Sequence, residues 1–562
     1  MQRLRPLAWT VGAGLATWAW DKNFYYSTLQ RNLLTLYSGV LITLDFKLNF
    51  TKEKSSYIDE LHERVSDRIL NVCKNNGGLY IKFGQQIATV PVLPPAYLRK
   101  FKQLFDDAPS VDLKTVKTIF RNEFGLDPED IFESFSPNPV ASASIAQVHK
   151  ATLKDGTQVA VKIQKPEIAK QTFWDMLGYR IVIFAFEKVF DIPLYWSADY
   201  IEKHLRQETD FVNEARNAER CHRHIKETNL NHNVYVPKVY HDYSSKQILT
   251  SEWIEGVPLT DESKITKMGF SIKKIMTDVV DVFSDQIFRS GFVHCDPHPG
   301  NILIRKHPSA SGPQVVLIDH GLYVNCTPEF RHDYAIFWKS LFTLETDLTA
   351  GIVQKWGIGD AQMFASATLA RPWRMGKAVH MNQTTTINDV YESHQAAKTK
   401  MVNFLKNTET LPKELIFVGR NLNCVRANNK ILGSPVNRIN LMASYAAKSI
   451  GFASQTSSQT VNLMASYAAK SIGFASQTSS QTDSYWRKSI GSVIQQYNYF
   501  KFQSTLLFIS IAFHTSSLFE KIRGLMFGSK GGGFEGLLDA GVKKSMEEAF
   551  PGMVFDENAF NG

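Results

Sequence analysis

Two short stretches, HCDPHPGN at residues 294–301 and VVLIDHG at residues 315–321, carry the strongest chemical signal in the chain. The first places Asp296 and Asn301 five positions apart on a loop rich in proline and glycine. The second places Asp319 where an apolar, strand-like run ends. Magnesium prefers hard oxygen ligands, usually one or two carboxylates together with substrate phosphates. The two stretches therefore predict one catalytic base and two ligands for a metal ion.

The same loop has a second interpretation, in which His294, Asp296 and His298 bind a transition metal. Alternate residues share a face on a strand, but Pro297 and Pro299 argue against a regular strand here. No further histidine or glutamate stands at an evident metal-ligand spacing. The transition-metal site stays open as the weaker alternative.

Lys162 lies within the apolar run Val159-Ala160-Val161-Lys162-Ile163. Side chains alternate along a strand, so Ala160 and Lys162 face away from the two valines and the isoleucine. A lysine in such a strand costs free energy unless an anionic group meets it. The run therefore indicates an anionic partner or ligand, although a lysine at a sheet edge would give the same pattern.

The secondary-structure pattern around this lysine is mixed. Strand-like runs at 147–153 and 158–163 flank Asp155-Gly156, a pair typical of tight hairpin turns. Apolar residues at steps of three and four predict a helix over 55–73, and the pattern beyond about residue 330 is mainly helical. Further strands are predicted at 248–254, 302–304 and 315–318.

Glu208 and Glu214 stand six positions apart on a predicted helix. Their side chains would point in different directions, so they could not share one partner. They could pair with two different lysines, or they could form a solvated acidic face.

Composition excludes several classes of protein. The chain has 562 residues, 44% of them hydrophobic, which excludes a disordered chain, a collagen and a coiled-coil rod. Its net charge of +9 suits a protein beside anionic lipid or phosphate, and does not by itself indicate nucleic-acid binding. The five scattered cysteines predict neither a disulfide framework nor a cysteine zinc site.

Two apolar segments predict membrane association. The segment Leu7–Trp20 follows two arginines and precedes any acidic residue, as in a mitochondrial presequence or a short N-terminal anchor. A secretory signal peptide and an ordinary amphipathic helix are the alternatives. Residues 502–519 contain no Asp, Glu, Lys or Arg, and a buried helix is favoured there over a membrane span.

Residues 440–460 recur unchanged at 462–482. Two identical copies do not make a repeat architecture. The duplication is expected to lie in a surface segment and receives no function.

Taken together, the motifs resemble the UbiB/ADCK family of atypical protein-kinase-like proteins, specifically a mitochondrial member of fungal type. The resemblance extends over residues 79–325. Its motifs, in chain order, are KxGQ at 82–85, an Ala-rich loop at 141–149, VAVK ending at Lys162, ExD at 208–210, HxDxHPGN at 294–301 and DHG at 319–321. The resemblance implies an α+β, two-lobed, atypical protein-kinase-like fold with an N-terminal helical extension and a helical C-terminal region.

The resemblance also implies a role for each motif residue. Protein kinases use an aspartate as base, with an asparagine and a second aspartate on the metal, which gives these roles to Asp296, Asn301 and Asp319. The nucleotide would be held by Ala141, Ser142, Ala143, Ser144, Lys162, Glu214, Glu252 and Ile254, with Lys162 paired to Glu214 and residues 252–254 beside adenine. Lys82 and Gln85 would lie over the protein-substrate site, with Lys82 paired to Glu208. Ser142 and Ala146 depart from the commonest family pattern, which has Ala and Gly there, and leave the nucleotide preference open.

The function implied is Mg²⁺-dependent ATP binding, with slow hydrolysis or phosphoryl transfer, in mitochondrial lipid or ubiquinone homeostasis. The expected partners are mitochondrial membrane lipid, at the inner membrane, and a lipid or isoprenoid ligand, without nucleic acid. A small-molecule or lipid kinase and a nucleotide-switched adaptor are the alternatives. The predicted divisions are a targeting or anchor segment (1–50), a helical extension (51–130), a kinase-like core (131–345) and a helical region (346–562).

Overall fold

Helices and strands alternate through the centre of the chain, as the sequence pattern predicts. The structure is a computed structural model that describes residues 16–87, 94–105, 110–193, 195–369, 411–451, 497–519, 533–536, 538 and 540. The strands are β1 (Ser134–Phe135), β2 (Ala141–Ser142), β3 (Ala146–Thr152), β4 (Gln158–Gln164), β5 (Val234–Tyr235), β6 (Ile248–Glu252), β7 (Val257–Pro258), β8 (Phe292–His294), β9 (Ile302–Lys306), β10 (Pro313–Leu317) and β11 (Tyr323–Asn325).

The helices occupy both ends of the chain and the connections between strands. They are α1 (Thr28–Asn49), α2 (Ile58–Asn76), α3 (Gly78–Ile87), α4 (Pro95–Phe101), α5 (Leu113–Phe124), α6 (Pro128–Ile131), α7 (Pro166–Phe190), α8 (Trp196–Glu208), α9 (Phe211–Lys226), α10 (Glu262–Lys267), α11 (Ile272–Asp285), α12 (Pro328–Thr343), α13 (Thr346–Lys355), α14 (Ala361–Leu369), α15 (Glu414–Ile431), α16 (Arg438–Ser449) and α17 (Tyr497–Phe519).

The predicted hairpin forms the centre of the first lobe. Strands β3 and β4 are antiparallel along their whole length, and Gly156 makes the turn between them with φ of 83°. The sheet order is β1-β3-β4-β6, with β2 also paired to β3. Val159, Val161 and Ile163 are fully buried against α5, as their alternation predicts. Burying such side chains stabilises the lobe by about 1.5–3 kcal/mol each.

The second lobe joins two small sheets to a helical core. Its sheets have the orders β5-β10-β9-β7 and β11-β8. Helices α11, α12 and α16 pack together beneath them around fully buried Phe283, Phe337 and Trp338. This arrangement brings together the ends of β8 and β10, where the stretches 294–301 and 315–321 lie, and Asp319 there contacts Lys162 of the first lobe.

Helix α2 confirms the helix predicted over 55–73, and the residue that follows its last turn is Gly77, whose φ is 64°. Helices α1 to α4 form the N-terminal extension, with a core of their own. Most of the predicted presequence, residues 7–15, lies outside the described residues. Residues 28–49, within the predicted targeting segment, form α1 and pack against α7.

Three C-terminal expectations have different outcomes. In the described part of the first copy, residues 440–451, Met442, Ala443 and Ala446 of α16 are fully buried, so this part does not lie wholly on the surface as expected. The second copy lies outside the described residues. Helix α17 buries one face on the second lobe and exposes the other. By length and composition it is the one helix in the described part of the chain that could cross a membrane.

Candidate functional site

A lysine, a glutamate and an aspartate join the two lobes. Lys162 on β4 lies 2.7 Å from Glu214 of α9 and 3.2 Å from Asp319 of the second lobe, measured from its Nζ to the carboxylate oxygens. Burial opposes the charge on Lys162, but Asp319 and Glu214 outweigh it and raise the pKa of the lysine. The anionic partner that the sequence predicted for this lysine is therefore present, and the lysine stays charged.

The two acids predicted on one helix belong to two helices. Glu208 is the last residue of α8, and Glu214 lies in the first turn of α9. The break occurs because Asp210 caps α9, with its carboxylate accepting the backbone N–H groups of Val212 and Asn213. The single-helix prediction was wrong, but the acids do meet different lysines.

The DHG turn is held by backbone hydrogen bonds. Ile318 donates its N–H to the carbonyl of Asn301 at 3.1 Å, and Gly321 donates its N–H to the carboxylate of Asp319 at 3.0 Å. Burial opposes the charge on Asp319, yet Lys162 and the Gly321 N–H hold its pKa well below the usual range. Asp319 is therefore an ionised carboxylate with one edge open to solvent.

His294 connects the two decisive stretches through both ring nitrogens. The N–H of Asp296 points to His294 Nδ1 at 3.0 Å, so Nε2 carries the proton and donates to the carbonyl of Asp319 at 2.8 Å. Burial lowers the pKa of His294, which agrees with the neutral ring. With both nitrogens engaged, His294 cannot be a metal ligand. The described residues also contain no cluster of three His, Cys, Asp or Glu that could hold a metal. The transition-metal interpretation is wrong for this part of the chain.

Asn301 and Asp319 fit a magnesium ion by their chemistry. Asn301 donates its side-chain N–H to the carbonyl of Asp296 at 3.3 Å, which leaves its amide oxygen available. This oxygen and the Asp319 carboxylate are hard donors on adjoining loops, the kind of ligands that Mg²⁺ takes beside phosphate.

Asp296 lies between two cations. Its carboxylate is 3.4 Å from Lys82 Nζ and 3.1 Å from the guanidinium of Arg420. Burial opposes the charge, but Arg420 and then Lys82 hold the pKa of Asp296 well below the usual range. Lys82 is also 3.7 Å from Glu208, so the predicted pair is present but looser than the contact with Asp296.

Gln85 does not join this cluster in the structure. It donates its side-chain N–H to the carbonyl of Leu104 at 2.9 Å and so binds α3 to the segment after α4. Between the two motif residues, Gly84 lies so close to Leu104 that an added Cβ would be 2.1 Å from a Leu104 methyl group.

The Ala-rich loop is the tight hairpin between β2 and β3. Ala141 and Ser142 pair with β3, while Ala143 donates its N–H to the carbonyl of Ala146 at 2.8 Å, so Ser144 lies in the turn. Lys165 donates to the carbonyl of Ala143 at 2.6 Å. This bond ties the turn to the residue that follows β4, the strand that carries Lys162.

The predicted hinge lies at the end of β6. Glu252 binds the hydroxyl of Tyr235 at 2.5 Å and the guanidinium of Arg305 at 3.4 Å. Because these two contacts occupy the carboxylate of Glu252, a contact with adenine would use the backbone of this residue. Ile254 is buried beside it.

Helix α15 supplies site residues that the sequence reasoning missed. Besides Arg420, Asn421 donates to the carbonyl of His294 at 2.7 Å and Asn428 donates to the carbonyl of Pro297 at 2.9 Å. Periodicity gave no signal for them, because polar residues such as Asn423 and Arg426 occupy other sides of the same helix. The burial of Asn421 and Asn428 is what shows that they need partners elsewhere in the fold.

The two-lobed α+β fold and this site define an atypical kinase-like protein. The ABC1 atypical kinase-like domain matches residues 103–352. The chain is 40% identical over 448 residues to an ABC1 family protein of Schizosaccharomyces pombe, covering 79% of this chain and 84% of that one. It is 32% identical to AarF domain-containing protein kinase 1 of Mus musculus, covering 67% and 71% of the two chains.

A solved structure, a complex of Rv3197 with erythromycin from Mycobacterium tuberculosis, is similar at 20% identity and a TM-score of 0.38, covering 64% of this chain and 97% of that one. On the sequence matches, the chain belongs to the ABC1 family, the UbiB/ADCK group of atypical kinase-like proteins, as its motifs predicted.

Proposed function

We propose that the chain binds ATP with Mg²⁺ between its lobes and hydrolyses it slowly or transfers its phosphoryl group. The observation that carries the proposal is the contact of Lys162 with Glu214 and Asp319, which sets a fixed cation beside an ionised carboxylate at the junction of the lobes. A cation there suits phosphate oxygens, and the carboxylate suits the metal that accompanies them.

Different residues of the site would bind phosphate, bind the metal ion and accept a proton. Lys162, oriented by Glu214, would contact phosphate, and the hairpin 141–146 would cover it. Asn301 and Asp319 would hold Mg²⁺, which neutralises the phosphate charge when bound. Asp296 would accept the proton of the attacking hydroxyl or water.

A nucleotide-switched adaptor remains a second candidate because of Asp296. A base held between Lys82 and Arg420 has little affinity for a proton, which slows general-base catalysis. The same pair of cations would fill the space that a protein substrate needs. Slow turnover, or binding without turnover, is what this geometry favours.

The cellular role that we propose is lipid or ubiquinone homeostasis at a mitochondrial membrane, with a lipid or isoprenoid as ligand. It is supported by the family resemblance, the net charge of +9 and the exposed apolar face of α17. The role is inferred from the family resemblance.

The test is calorimetric titration of the full chain with ATP, with and without Mg²⁺, in Lys162→Met and Asp319→Asn variants. Lys150→Met is the matched control, since Lys150 lies on the neighbouring strand in an exposed ion pair with Glu255. We expect Lys162→Met to weaken binding at least about tenfold, the equivalent of one lost charge-assisted contact. Asp319→Asn should abolish the dependence on Mg²⁺, and the control should bind normally.

Phosphate release by the same proteins separates the two candidates. Hydrolysis that is lost in Asp319→Asn supports the enzyme, and tight binding without hydrolysis supports the adaptor. A wild-type chain that melts normally but binds no nucleotide contradicts both.

A further inference from the structure

Helix α1 exposes a continuous apolar stripe. Leu33, Tyr37, Val40, Leu44 and Leu48 follow one another at steps of three or four and are 51–64% exposed. No charged residue occurs between positions 32 and 44. None of the described residues covers this apolar outer face, which makes it a candidate interaction surface.

Helix α7 exposes a second stripe of the same kind. Trp174, Leu177, Ile181 and Phe184 are exposed at steps of three or four. Two of these four exposed side chains are aromatic, which is more than an ordinary solvated face carries. Aromatic side chains are enriched where a protein meets a membrane interface.

The two helices lie side by side and run in the same direction. Asn32 of α1 faces Gly178 of α7, and seven residues later Gly39 faces Val182, whose methyl group would be 3.2 Å from an added Cβ. Arg31 and Asp175 form a buried ion pair 2.5 Å long between the same helices.

The stripes therefore form one surface. Successive residues of a helix are turned by about 100° around its axis. On each helix the apolar stripe lies roughly 120° around the axis from the residues that contact the other helix. The rotation has opposite senses on the two helices. Both stripes consequently face the same side of the pair. Helix α1 has 22 residues, and 22 residues extend about 33 Å. We call this the α1/α7 face.

The charges around the α1/α7 face are sorted by sign. Every lysine in residues 16–49 and 166–190 is exposed, namely Lys22, Lys47, Lys170 and Lys188, whereas every acidic residue there is buried or half-buried. Each of these lysines lies over an aromatic ring, for example Lys170 over Tyr26 at 5.3 Å and Lys188 over Phe184 at 5.6 Å. Lysines beside aromatic rings at the border of an apolar surface can reach lipid headgroups while their stems stay on the apolar side.

We infer that the α1/α7 face docks on an anionic phospholipid bilayer, with its apolar stripes among the headgroups and its lysines on lipid phosphates. This deepens the proposed membrane association by naming the surface and the partner's charge. The opposite faces of both helices are buried in the protein, so the pair lies on the bilayer and does not cross it. A bilayer fits because the surface is long and its exposed charges are lysines, whereas a second copy of this basic chain would bring lysines against lysines.

The test is flotation of the full chain with vesicles of phosphatidylcholine alone or mixed with an anionic phospholipid. The variant Tyr37→Glu/Leu44→Glu/Ile181→Glu should bind anionic vesicles at least about tenfold more weakly, because it places three acids among anionic headgroups. Leu126→Glu is the matched control, an exposed leucine outside the face, and it should bind like wild type. Lys170→Gln/Lys188→Gln should reduce the preference for anionic lipid.

ATP affinity and melting temperature of the triple variant, measured without vesicles, should equal those of wild type. A failure here is therefore distinct from a failure of the proposed nucleotide site. Equal vesicle binding by the triple variant and wild type would overturn the inference. So would a wild-type dimer that becomes a monomer in the triple variant while vesicle binding is unchanged, since the face would then join two copies.

Discussion

Replacing Arg420 with Met tests whether a helix far along the chain completes the site. The guanidinium lies 3.1 Å from the carboxylate of Asp296, in side chains that are 16% and 19% exposed. At an effective dielectric constant of about 20, that separation corresponds to an attraction of about 5 kcal/mol. Lys82 remains 3.4 Å from Asp296 in the variant. We therefore expect a net cost of about 2–3 kcal/mol, less than the roughly 3–5 kcal/mol for a buried pair that loses one partner.

The cost should depend on pH in a defined direction. Arg420 lowers the pKa of Asp296 in the folded protein, so the stabilisation is present above the ordinary carboxyl pKa of about 4 and is lost as pH falls through the folded value. The melting temperatures of wild type and Arg420→Met should differ most at neutral pH and converge in acid.

A double-mutant cycle with Asp296→Asn isolates the pair. Arg420→Lys should recover part of the loss, and Arg121→Met, which removes an exposed partner of Asp127, should melt like wild type. The reasoning is refuted if Arg420→Met and Asp296→Asn are additive to within about 0.5 kcal/mol, the usual limit for independent sites.

Two further predictions concern packing and titration. Gly84→Ala should cost about 1–3 kcal/mol, because its Cβ displaces Leu104; in contrast, Gly351→Ala, with open space around its Cβ, should stabilise α13 by about 0.5–1 kcal/mol. Thermal melting of both variants checks the pair, and equal shifts would contradict the close approach at Gly84. Burial and the neighbouring Asp278 raise the pKa of Asp281 to about 6, so the folded chain keeps a proton that the unfolded chain releases and stability should fall as pH rises from about 4 to 6. Asp281→Asn should remove that fall and be more stable at pH 7 by about 1–2 kcal/mol, after allowance for partial exposure; a variant with the wild-type pH profile would show that Asp281 titrates normally.

Much of the fold follows from local pattern. The hairpin at Gly156 and the helix over 55–73 were predicted because turn residues and apolar periodicity are signals of a few residues' length. The break between Glu208 and Glu214 was missed although Thr209-Asp210 offers a helix-capping residue, since the acids were considered for their spacing alone.

The site was predicted where its residues belong to motifs and missed where they do not. Lys162 and Asp319 stand out because a charged residue interrupts or ends an apolar run. Arg420 and Asn421 carry no such local mark, and their importance arises from contacts more than 100 positions away, which periodicity cannot reveal. The sorted charges of the α1/α7 face also need the structure, because the sequence does not say which side of each helix is covered.

The contacts of α15 also bear on how the protein is made. Asn421 and Asn428 hold carbonyl groups of the loop 294–301 across separations of 127 and 131 residues. At about 5–20 residues per second, the ribosome needs on the order of ten seconds to synthesise the chain between them. During that interval the loop is present without the helix that fixes it, so a nascent chain released or cleaved early would hold the family's motifs in full and yet lack a finished site.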